Sequence, residues 1–137
     1  MAITQAFCNQ AKLDYLNGVI QPGDTFRIAL YTSAATLDAT TLAYTATAEA
    51  VGAGYTAKGL LLAGFSSSLT SGIANVNWTN PTIPTASLTA RGAMIYCESR
   101  ASRSIAIIDF GADYTATSGS FTINLPTPGN VGIVRIG

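Results

Sequence analysis

From residue 25 onward the chain is a series of short apolar runs set between clusters of Gly, Pro, Ser, Asn and Asp. The longest, residues 59–65 and 105–110, have strand length and fall far short of the ~20 apolar residues of a membrane helix. No helical period recurs between the runs, which argues against a parallel α/β sheet with its crossover helices. Regular spacing with turn chemistry between runs predicts an all-β fold. It would be an antiparallel β-sandwich or jelly-roll-like domain of about eight strands.

One helix is expected ahead of the sheet. Thr4 stands where it can cap residues 5–17, and Gly18 occupies the left-handed position that ends a helix. Phe7, Ala11 and Tyr15 recur every fourth residue and, with Cys8, make one apolar stripe, while Leu13 and Leu16 fall on another side. Apolar groups on two sides predict a helix held between its own sheet and a neighbouring subunit.

Residues 25–32 alternate as a half-buried strand, 33–41 read as an exposed Ala/Thr-rich loop, and 42–51 as an Ala-rich strand. Residues 60–65 form a continuous apolar run expected to be covered on both faces. A turn is expected at Ser66-Ser67-Ser68, a strand at 73–78, and a rigid connection at 80–84. Residues 88–97 follow with Gly92 as a bulge, then a turn at 98–103 and a strand at 104–110. Strands at 119–125 and 131–136, joined by a turn at 126–129, close the chain. The whole is expected to be one domain, 1–137, with a helix at about 5–17 and a β core at about 25–136.

The residues needed for chemistry are scarce. There is no His, and the seven acidic and seven basic residues are scattered through 137 positions. General acid–base work at neutral pH draws on His, paired carboxylates or a tuned Cys or Lys, so no enzyme is expected and no catalytic residue is nominated. Two distant cysteines without His leave nothing for a tetrahedral zinc site, and Asp24, Asp109 and Asp113 lack the alternation of a calcium loop. No cofactor or metal is therefore expected. Asp109-Phe110-Gly111 matches the magnesium triplet of protein kinases, but the glycine-rich loop, strand lysine and catalytic loop are missing. It reads as a strand end turning at glycine, with Asp113 in the following turn.

Gly52-Ala53-Gly54 is too short for a phosphate cradle, and Asn77-Trp78-Thr79 matches the glycosylation sequon by chance. Net charge is zero, and the nearest thing to a basic cluster is Arg100-Ala101-Ser102-Arg103, so no nucleic-acid partner is expected. The start carries neither a basic nor an apolar signal region, so synthesis in a cytoplasm and free thiols at Cys8 and Cys97 are expected. An apolar share of 48% and a mean hydropathy of +0.34, without a membrane segment, predict apolar surface buried between subunits. A homo-oligomer follows, with Phe7, Leu13, Tyr15, Leu16 and Trp78 as the expected interface residues.

Residues 1–8, "MAITQAFC", 24–35, "DTFRIALYTSAA", and 89–96, "TARGAMIY", resemble a family of small tailed-bacteriophage virion proteins. Its motif order continues here through Leu42-Ala43-Tyr44-Thr45, a glycine-punctuated stretch at 52–59 with one glycine of the usual pair replaced, Asp109-Phe110-Gly111, and Ser120-Phe121-Thr122-Ile123. The resemblance covers nearly the whole chain and implies a virion structural protein without catalytic residues. Three readings are carried forward. The first is a capsid cement or decoration protein, a trimer by preference, bridging major capsid subunits. The second is a tail-associated or fibre-like component of the same virion. The third is a glycan-binding β-sandwich in which Trp78, Tyr31, Tyr44 and Tyr55 stack on sugars.

Overall fold

The computed structural model describes residues 2–125 and 134–136. Its elements are β1 (Ala6–Phe7), α1 (Asn9–Leu16), β2 (Phe26–Tyr31), β3 (Leu60–Leu61), β4 (Ser66–Thr70), β5 (Ile73–Asn77), β6 (Thr82–Cys97), β7 (Arg103–Thr122) and β8 (Val134–Ile136). They form two antiparallel sheets, a five-stranded one ordered β1-β7-β6-β2-β3 and a three-stranded one ordered β4-β5-β8. The fold is the expected all-β, sandwich-like one, with one short helix and eight strands among the described residues.

The β6–β7 hairpin is the spine of the large sheet, and β2 lies along β6 in unbroken register from Phe26↔Cys97 to Tyr31↔Gly92. The expected alternation understates how deeply β2 is covered. Ala29 and Tyr31, on its supposed polar side, are fully buried, and only Arg27 reaches outward, to Glu98 at 2.7 Å. Central strands covered on both faces lose the polar parity that marks a half-buried strand. Phe26, Phe65 and Trp78 join the two sheets through ring contacts at 5.2–5.8 Å between centroids. Cys8 and Cys97 are buried and free, as expected.

Several boundaries differ from the sequence expectation. The helix begins later, because Ala6 and Phe7 pair with Ile107 and Ala106 at the β7 edge. A sheet edge satisfies both backbone groups of a residue, whereas the first turn of a helix leaves its N–H groups unpaired. Thr4 accordingly donates its backbone N–H to Leu37 O instead of capping, and Cys8 stands at the N-cap without a side-chain capping bond. Gly18, with φ +70°, does end the helix as expected. In the 33–41 loop Ala35 and Leu37 are buried.

Residues 42–51 form no strand; their backbone pairs with the sheet through the isolated bridges Ala43↔Arg103 and Tyr31↔Glu49, in keeping with the weak β preference of Ala. Of 60–65, only Leu60–Leu61 is a strand, and exposed Leu61 marks it as an edge rather than a doubly covered strand. The expected Ser66-Ser67-Ser68 turn is instead part of β4. The turn comes at Ser71-Gly72, whose φ values of +50° and +81° suit a two-residue hairpin.

The expected connection at 80–84 is partly strand, since β6 starts at Thr82. The strand expected at 104–110 and most of the one expected at 119–125 belong to a single strand, β7. Asp109-Phe110-Gly111 does not end it. Residues 110–113, with Gly111 at φ +80°, bulge out opposite Arg91 alone, between the pairs Gly92↔Asp109 and Ala90↔Tyr114. Asp113 is therefore in this bulged stretch and not in a turn. For the bulge expected at Gly92, the register does shift between Ala90 and Gly92, but the extra residues belong to β7, opposite Arg91. The turn expected at 126–129 lies outside the described residues; of the closing strand, Val134–Ile136 pairs with β5.

Candidate interaction surface

Helix α1 packs against β7, and its inner side is clamped there. Ala11 is fully buried, and Asp14 is 2% exposed. The Asp14 carboxylate accepts from Arg103 Nη1 at 2.6 Å and from Gln10 Nε2 at 3.1 Å, through Oδ1 in both cases. A buried carboxylate costs several kcal/mol unless a partner charge opposes that cost, so the helix cannot roll without parting this pair.

The outer side carries Leu13 at 50% and Leu16 at 79% exposure. These two lay off the apolar stripe in sequence, and α1 presents both to solvent. Phe7 and Tyr15 are half-buried and meet edge to face at 6.0 Å, with the Lys12 ammonium 5.8 Å from the Phe7 ring centre. Tyr15 also lines an open hollow of about 380 Å³ with Leu69 and Val76, which links the helix to the small sheet. Trp78, 4% exposed, faces Phe26 and Phe65 in the interior. Of the five expected interface residues, the helix pair is therefore outward, Phe7 and Tyr15 flank it, and Trp78 is withdrawn into the core.

A larger hollow of about 920 Å³ runs beside β7. Phe7, Ile108, Phe110, Tyr114, Phe121 and Ile123 line it, and Asp109 stands on its margin. Arg91 lies 3.7 Å from both Asp109 and Asp113, so the bulge brings together the two carboxylates closest in sequence and neutralises part of their charge. Partly exposed pairs at this distance contribute at most about 1 kcal/mol. Asp24 is far from them, held by Arg100 Nε at 3.0 Å. The three aspartates do not converge, and among the described residues no cluster of three metal-ligating side chains exists.

Glu49, which sequence reading passed over, gathers three donors. Its Oε1 accepts from the Tyr44 hydroxyl at 2.5 Å. Its Oε2 accepts from the Tyr55 hydroxyl at 2.6 Å and the Lys58 N–H at 2.9 Å. The Tyr31 hydroxyl bonds Thr45 O at 2.6 Å and the Tyr96 hydroxyl bonds Lys58 O at 2.5 Å. Burial, reinforced at Tyr44 by the Glu49 carboxylate, pushes Tyr44 and Tyr96 up to about 12. Burial also raises Tyr31 and Tyr55 well above the ordinary tyrosine value.

The glycines of this stretch serve close approach: a Cβ on Gly54 would lie 2.0 Å from Thr85 O, and one on Gly59 would lie 1.9 Å from Ile28 O. Tyr31 and Trp78 are buried, while Tyr44 and Tyr55 are half-buried with their hydroxyls committed to Glu49. A local signal for Glu49 did exist, in Tyr44 and the Gly54-Tyr55-Thr56 stretch on either side of one carboxylate, but the Leu30 N–H that Tyr55 accepts left no trace in the spacing.

No protein-family model, curated protein or solved structure matches this chain. No helix among the described residues is long and apolar enough to cross a membrane.

Proposed function

We propose that this chain is a non-enzymatic structural protein of a tailed-bacteriophage particle. It acts as a homo-oligomer, a trimer by preference, that cements or decorates the capsid by bridging major capsid subunits. It is made in the host cytoplasm and resides in the virion. The observation that carries the assembly part is the rigidly anchored helix that holds Leu13 and Leu16 in solvent. Two large aliphatic side chains displayed on an otherwise clamped element suit a surface that another subunit covers. The motif order along the chain supports the virion part.

Burial of the two leucines contributes at most about 2–3 kcal/mol each, before the ordering of side chains is subtracted. The test is the double variant Leu13→Asp, Leu16→Asp in a propagating phage. We expect particles depleted of the protein while the purified variant keeps its β circular dichroism. Normal copy number in mutant particles would place α1 outside every interface. Quantitative gels of wild-type particles separate capsid from tail: hundreds of copies support the cement reading, and a few dozen or fewer support a tail-associated one.

A further inference from the structure

We propose that residues 48–62 form a strap that opens from the edge of β2 as one unit, with Glu49 and Tyr55 as its latch. The outer edge of β2 has no continuous strand beside it. Ala50 N–H donates to Leu30 O at 2.8 Å, Thr32 N–H to Ala48 O at 3.0 Å, and Leu62 N–H to Phe26 O at 2.9 Å. Two-residue β3 pairs with Arg27 and Ile28. Between these contacts residues 51–59 leave the edge, and their outermost backbone bond is Ser87 N–H to Ala53 O at 3.0 Å.

The excursion uncovers the Leu30 N–H, which belongs to a fully buried residue. A side chain takes it: the Tyr55 hydroxyl accepts this N–H at 2.9 Å and itself donates to Glu49 at 2.6 Å. One phenol thus stands in for the carbonyl of an edge strand, and one carboxylate holds that phenol, Tyr44 and the Lys58 N–H together. Both flanks of the latch are in left-handed backbone without glycine's freedom, Ala48 at φ +62° and Lys58 at φ +80°. Opening relaxes both residues and leaves β2 with a bare hydrogen-bonding edge beside β6.

Residue-resolved hydrogen exchange tests this. In the wild-type protein the Leu30, Ala50 and Leu62 amides should share one opening that is faster than the opening of the β6–β7 hairpin. Tyr55→Phe removes the acceptor without changing ring volume and should speed those three amides by about tenfold or more, leaving the hairpin amides at their global rate. Glu49→Gln should speed the same set, and serves if the phenylalanine variant folds poorly. If every amide accelerates by one common factor, or if the wild-type strap and hairpin exchange together, the strap is no separate unit.

Discussion

The Asp14–Arg103 pair sets the stability of the surface that α1 presents, and Arg103→Met isolates its contribution. Methionine keeps most of the aliphatic packing and removes the guanidinium. Asp14 is then left 2% exposed with Gln10 Nε2 as its remaining side-chain donor. Parting a buried ion pair by removing one member costs about 3–5 kcal/mol. The Arg103 side chain is 40% exposed and already partly hydrated, so the lower end applies, about 3 kcal/mol. For a chain of this length that corresponds to a fall of about 10 °C in Tm. Asp14→Leu should cost far less, about 1 kcal/mol, because the freed arginine can turn to water. The double variant should resemble Asp14→Leu alone, with a coupling energy of about 2–3 kcal/mol. Denaturant unfolding of the four proteins measures the cycle. Additive losses, or a cost below about 1 kcal/mol for Arg103→Met, would refute the view that a buried carboxylate pins the helix.

Two further outcomes follow from burial. Tyr44 and Tyr96 are held near 12, and Tyr15, Tyr31 and Tyr55 are also raised, all chiefly by burial, whereas unfolded tyrosines titrate near 10. The folded chain therefore keeps protons that the unfolded chain releases, so unfolding free energy should be unaffected below about pH 10 and fall as pH rises toward 12. Tyrosinate absorbance at alkaline pH should rise together with loss of structure; ionisation of these residues in a fully folded protein would contradict this. Cys8 and Cys97 are buried, and burial pushes both thiols up, so the native protein should resist alkylation at mildly alkaline pH and take up two labels only when unfolded. Rapid labelling of either thiol in native protein would show an opening that the packing does not predict.

What could be read from the sequence was what local chemistry decides. Gly18 ends the helix because a left-handed residue is needed there. Leu13 and Leu16 were legible for the same kind of reason: helical period alone puts them off the side that carries Ala11 and Tyr15, whatever the helix packs against. Elements settled by pairing partners outside their own segment were not legible. Ser66-Ser67-Ser68 carries turn composition, yet it is a strand because Asn77, Val76 and Asn75 pair with it residue by residue. Ala6 and Phe7 have helical spacing, yet the open edge of β7 takes them, a hundred residues away in the chain.

Trp78 shows the same limit from the side-chain direction. A large aromatic between turn residues fits a core and an interface equally well, and only the positions of Phe26 and Phe65 decide for the core. Glu49 is the strongest case. By composition it is an exposed acid in an Ala/Thr-rich stretch, and propensity rules treat it as solvated. Its carboxylate gathers three donors only because the backbone doubles back between residues 49 and 58, through glycines that let the strap lie against carbonyl oxygens of β6 and β2. The order of cause therefore runs from close approach to hydrogen bonding. The glycines let the chain come near, the tyrosines fill the space that this leaves, and the lone acid satisfies the hydroxyls that would otherwise be buried without an acceptor.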